Sequence, residues 1–157
     1  MADWFLKVKK DFITCFLEKD RWHYILQGLG NTLKIALVAV LLGVVIGTVV
    51  AIIRSTYDKN AATMRPGIAR FLLGLGNAIC RIYLTVIRGT PAMIQILIMF
   101  FVIFSNARDG VPVAMLTFGI NSGAYVAEII RGGIMAVDAG QMEAGRSLGF
   151  NFVQTMW

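Results

Sequence analysis

The chain has 157 residues, 57% of them apolar, and a formal charge of +6, with a mean hydropathy of +0.71. That is far more apolar than the roughly half expected of a soluble domain, so the sequence reads as a membrane protein. His23 is its one histidine, and Cys15 and Cys80 show no paired spacing, which leaves no disulfide framework, metal site or catalytic residues to expect and argues against an enzyme.

The opening segment, DWFLKVKKDFITCFLEKDRWHYIL, mixes Trp4, Phe5, Phe12, Phe16, Trp22 and Tyr24 with nine charges. Residues 1–31 are therefore expected to lie at the membrane interface, or to be a solvated lead-in of no special role. Lys7, Lys9 and Lys10 run into Asp11 instead of an apolar stretch, unlike a signal peptide. The first span is expected over 32–53, where IALVAVLLGVVIGTVVAII carries no charge and is long enough for a core that needs about 20 helical residues. Gly43 and Gly47 stand in it at the spacing that lets helices approach closely. A polar linker, RSTYDKNAATMRPG, follows.

Arg70, Arg81 and Arg88 fall on one helical stripe, which is expected to lie among lipid headgroups. The apolar run from Pro91 to Phe104 is too short to span by itself. A second span is therefore expected over 82–104, kinked or broken at RGTP, where Pro91 removes a helix hydrogen bond. Such a break at depth faces protein or a cavity, unless Arg88 simply marks the membrane boundary. The third span is expected over 111–137 and places Asn121, Tyr125 and Glu128 on one face. An ionisable group there suggests a substrate path. The alternatives are an i,i+3 ion pair of Glu128 with Arg131 and inter-helix hydrogen bonds from Asn121 and Tyr125. Five basic residues precede Asn31 and six lie in 54–88. That balance leans towards a cytoplasmic 54–88 stretch and C-terminal end, because basic residues favour the cytoplasmic side. Basic residues that flank apolar runs in this way speak for membrane orientation and against a nucleic-acid partner.

After the third span comes GQMEAGRSLGF. Asp138 can cap a helix, Gln141 can complete a capping box, and Gly149 can end the helix, so a short docking helix is expected within 138–150. Glu143, Ala144, Gly145 and Gly149 resemble the EAA loop of the membrane subunits of bacterial ABC importers. GNTLKIALVAVLLGVVIGTVVAIIR, RGTPAMIQILIMFF and NSGAYVAEIIRGGI are similar to segments of the permeases for polar amino acids, the histidine, glutamine and arginine group. Gly145 departs from the usual second alanine, at about 1 kcal/mol of helix propensity.

The resemblance implies an all-α polytopic bundle, here three spans of five, with two more beyond Trp157. It implies import of a polar amino acid across the cytoplasmic membrane and coupling through 138–150 to ABC ATPase subunits. It also implies a second permease copy or homologue and an extracytoplasmic solute-binding protein. No phosphate-binding GxxxxGK[ST] loop occurs, so no cofactor is expected on this chain and ATP is expected on the partner subunit. A permease for another small solute, or a small pore-forming or structural membrane protein, would use similar spans.

Overall fold

Lipid offers the backbone no hydrogen-bond partner, so a spanning segment must satisfy its amides internally. The computed structural model describes residues 2–16, 21–61, 64–151 and 154. Its regular elements are all helical: α1 (Ala2–Phe16), α2 (Trp22–Asn60), α3 (Ile68–Gly89), α4 (Ala92–Ile98), α5 (Gly110–Ala136) and α6 (Ala139–Ser147). A π-helical turn over Met99–Ile103 continues α4. Trp22–Lys59, Ile68–Gly89 and Gly110–Ala136 are long and apolar enough to cross a membrane, whereas Ala92–Ile103 is shorter. The fold class is thus the all-α polytopic one. On α1, Trp4, Phe5, Leu6, Val8 and Ile13 are exposed, while the side chains of Phe12, Cys15 and Phe16 lie outside the described residues.

Helix α2 has 39 residues and is about 58 Å long, nearly twice the roughly 30 Å hydrocarbon core. The apolar run expected as the first span is only its middle. What fixes α2 is a seam with α5. A Cβ on Gly43 would stand 2.6 Å from Ser122 Oγ, and one on Gly47 2.6 Å from Val126 Cγ1. From the other side, a Cβ on Gly119 would stand 2.9 Å from Leu42 and one on Gly123 3.0 Å from Ile46. Two small-residue stripes therefore interlock, each glycine receiving a side chain of the facing helix. Position numbers rise together along both helices, so α2 and α5 run parallel.

A parallel pair needs a return leg, and residues 68–103 supply it. Gly74 and Gly76 face Tyr57 and Ile53 near the end of α2. Farther along, the Tyr83 hydroxyl donates to the Ile120 carbonyl at 2.6 Å, Gln95 meets Asn121, and Phe100 lies against Gly110. The core under α3 is Val50, Cys80, Leu84, Ala124 and Ala127.

This corrects the expected second span, because its helix starts at Ile68 and not at Ile82. The Arg81 side chain faces a cavity shared with α2 and α5, so its charge does not bar the preceding turns from the membrane. Arg88 lines that cavity too, and Arg70 donates to the Met64 carbonyl. The helix does stop before Pro91, with Thr90 at φ −116, ψ 140. Helix α5 opens on Asp109, whose carboxylate accepts from the Val111 N–H at 2.9 Å. Pro112 stands in the first turn of that helix, where its missing N–H has no carbonyl to serve.

Candidate functional site: a charged cavity and a capped helix

Glu128 is the hub of a partly buried cluster of charges. Its Oε1 accepts from Arg54 Nη1 at 2.8 Å, and its Oε2 accepts from Arg131 Nη2 at 3.2 Å, with Arg88 Nη1 3.7 Å away. Arg131 also reaches Asp58 Oδ2 at 3.3 Å. Arg54 and Asp58 lie one turn apart on α2, Glu128 and Arg131 nearly one turn apart on α5, and the parallel seam brings the pairs face to face as an alternating ladder. The side chains of Arg54 and Glu128 are only 17% and 22% exposed. Charges so placed in a membrane bundle persist only when paired. The i,i+3 pair with Arg131 therefore exists, but it is one of three contacts and the shortest is to Arg54.

Beside this ladder is a cavity of about 510 Å³ lined by Arg54, Arg81, Leu84, Thr85, Arg88, Gly89, Tyr125 and Glu128. The Arg88 guanidinium lies 5.9 Å from the Tyr125 ring centre, a cation–π distance. Arg88 thus borders a cavity at the break in the return leg.

The break is closed by a side chain. In a continuous helix the Ile87 carbonyl would accept from residue 91, but Pro91 has no N–H. Gln95 Nε2 takes that place, donating to the Ile87 carbonyl at 2.7 Å. It also reaches the Thr90 carbonyl at 3.0 Å and Thr90 Oγ1 at 2.8 Å. The other end of the amide, Oε1, accepts from Asn121 Nδ2 at 3.0 Å. Asn121 thus makes the inter-helix bond that was one of its two expected roles, while Tyr125 and Glu128 line the cavity and Asn121 does not.

Helix α6 follows α5 after two extended residues, Val137 and Asp138. Asp138 is its N-cap, with Oδ1 accepting from the Gly140 N–H at 2.7 Å. The partner is Gly140 rather than the third residue of a capping box. The Gln141 N–H donates to the Asp138 carbonyl at 3.1 Å, and no reciprocal side-chain bond from Gln141 occurs among the described residues. At the other end Gly149 has φ +82. The Gly149 N–H meets the Arg146 carbonyl at 2.9 Å and the Phe150 N–H meets the Gly145 carbonyl at 3.0 Å. That pair of bonds is a Schellman motif with glycine in the left-handed position. Asp138, Gln141, Glu143, Ala144 and Gly149 are exposed, and Gly145 is buried.

Sequence reasoning missed Arg54 and Asp58, which it placed in a linker, and Gln95, which it passed over in an apolar run. The signals were present. A lone amide among PAMIQILIMFF is costly unless bonded, and Gly119 and Gly123 repeat the spacing of Gly43 and Gly47.

Residues 67–157 match the model of the family described as binding-protein-dependent transport system inner membrane component. The chain belongs to this family. It is accordingly a multi-pass protein of the cell membrane. Within the family's reach, it is 35% identical over 136 residues to the arginine transport system permease protein ArtQ of Bacillus subtilis, covering 85% of this chain and 55% of that protein. It is 38% identical over 128 residues to a putative glutamine transport system permease protein, GlnP, of Rickettsia prowazekii, covering 80% and 52%. A solved structure described as an amino acid ABC transporter with histidines matches at a TM-score of 0.59 and 35% identity, over 80% of this chain and 52% of that one. The chain spans about half the length of the curated relatives it matches.

Proposed function

We propose that the chain is part of a permease subunit that carries a polar amino acid into the cell, powered by ATP hydrolysis on separate ABC ATPase subunits. The permease works with a second permease copy or homologue and an extracytoplasmic solute-binding protein. The observation that carries this reading is α6, a short helix capped at both ends that leaves α5 at the end where α2 also finishes, with Glu143 and Ala144 exposed. Such a helix can seat in a partner's groove and pass on a rigid push. Relatives described as arginine and glutamine transport system permeases support the substrate class. Tyr125 and Glu128 border the path through the charged cavity, and Asn121 acts behind them through Gln95.

The test is recovery of the ATPase with the full-length permease. Glu143→Lys reverses the charge at the contact, and Gly149→Val strains the left-handed helix end. Both variants are expected to insert normally and to recover several-fold less ATPase; wild-type recovery with both overturns the docking role. Of the stretch 54–88 expected on the cytoplasmic side, Ile68–Gly89 is a helix long and apolar enough to cross the membrane, so the cytoplasmic placement is proposed for residues 54–67 alone. A cysteine introduced at Asn60 should then resist a membrane-impermeant thiol reagent in intact cells, and efficient labelling reverses the orientation.

A further inference from the structure

Three arginines, Arg54, Arg81 and Arg88, share the cavity wall with a single carboxylate, Glu128. That carboxylate is already engaged at both oxygens, by Arg54 at 2.8 Å and by Arg131 at 3.2 Å. The Arg88 contact is the longest of the three at 3.7 Å, and the Arg88 side chain is 44% exposed. Arg81 has no ion pair among the described residues. Asp58, the other acid near the ladder, faces Arg131 and does not line the cavity. The free electrostatic capacity of the space is therefore positive, although the residue that first draws notice there is an acid. A cleft with a surplus of one sign of charge and apolar surroundings concentrates ligands of the other sign.

We propose that this cavity is a carboxylate site. On the reading of the chain as part of an amino-acid permease, Arg81 and Arg88 receive the α-carboxylate of the passing amino acid. Guanidinium groups suit that task because their donor fork matches two carboxylate oxygens. Glu128 is a positioning residue, holding Arg54 and restraining Arg88, and does not bind the ammonium group, since doing so would strip an arginine of its partner. Thr85 and Tyr125 line the same wall and offer hydroxyls for orientation. A volume of about 510 Å³ admits a small amino acid.

The test reads the charge of the cavity directly and needs neither ATPase nor uptake. The chain carrying Cys15→Ala, Cys80→Ala and Thr85→Cys is placed in phosphatidylcholine nanodiscs. Its thiol is then modified with an anionic sulfonatoethyl or a cationic trimethylammonioethyl methanethiosulfonate. Relative to the same thiol in unfolded chain, the anionic reagent is expected to gain roughly tenfold over the cationic one. Arg81→Gln together with Arg88→Gln should abolish that gain, and glycine should slow the reaction where glycinamide does not. A second reporter, Gly89→Cys, serves if the first does not fold, since a side chain at Gly89 meets nothing within 4 Å. Equal rates or a cationic preference overturn the proposal. So does equal protection by glycine and glycinamide, or protection by phosphatidylglycerol in the disc with none by glycine. Absence of ATP-dependent amino-acid uptake by the assembled transporter would instead overturn the permease reading and leave the thiol result standing.

Discussion

Helix α6 and the α2–α5 pair reach order by opposite routes. Nine residues of α6 carry their own start and stop signals, Asp138 at one end and Gly149 at the other, so the information is local. Helix α2 has no side-chain cap bond at its N-terminus. It takes its place from glycines on α5, a partner 74 residues away along the chain in the case of Arg54 and Glu128. A locally coded element can be altered without disturbing its neighbours, whereas a seam transmits each change to both helices.

The sharpest way to break the contrast is Gly47→Leu. Its Cβ would fall 2.6 Å from Val126 Cγ1 and 3.0 Å from the Ala127 amide nitrogen, so the helices must part. The expected cost is about 3 kcal/mol or more, seen as a large drop in the thermal unfolding midpoint of the detergent-solubilised protein. An unchanged midpoint would mean that the seam does not hold the bundle. Next in size is Glu128→Gln, which strips Arg54 and Arg131 of their anion. Breaking a fully buried pair costs roughly 3–5 kcal/mol, and partial hydration here lowers that to about 2 kcal/mol. Arg54→Gln in the same chain should restore part of the loss, a coupling that a double-mutant cycle measures; strictly additive losses would show that the pair is not coupled. The smallest effect belongs to Asp138→Ala. It should cost about 1 kcal/mol, confined to α6 and visible as faster amide exchange near Gly140 with an unaltered unfolding midpoint. A shift in that midpoint would show that α6 is not self-contained.

What could be read in advance follows the same division. The end signals of α6, the break before Pro91 and the apolar middle of α2 are written in contiguous residues, and periodicity or backbone chemistry reveals them. The start of α3 was not legible, because whether Arg81 faces lipid or a cavity depends on the helices beside it. The partners of Glu128 were half legible. Arg131 is its neighbour along one helix, while Arg54 becomes its neighbour only through the parallel register of α2 and α5. Gln95 was hidden for a similar reason, since its value lies in replacing a bond that Pro91 withholds and in receiving Asn121 from another helix.

The parallel register also sets an order of assembly. Adjacent parallel helices cannot arise as a hairpin, so α2 must enter the membrane and remain there without α5 until the return leg has been made. During that interval the grooves at Gly43 and Gly47 are open to lipid, and the arginine at position 54 has no carboxylate from α5. Independent insertion followed by lateral packing meets this requirement, and the uncharged run of Ile35 to Ile53 is what allows α2 to wait.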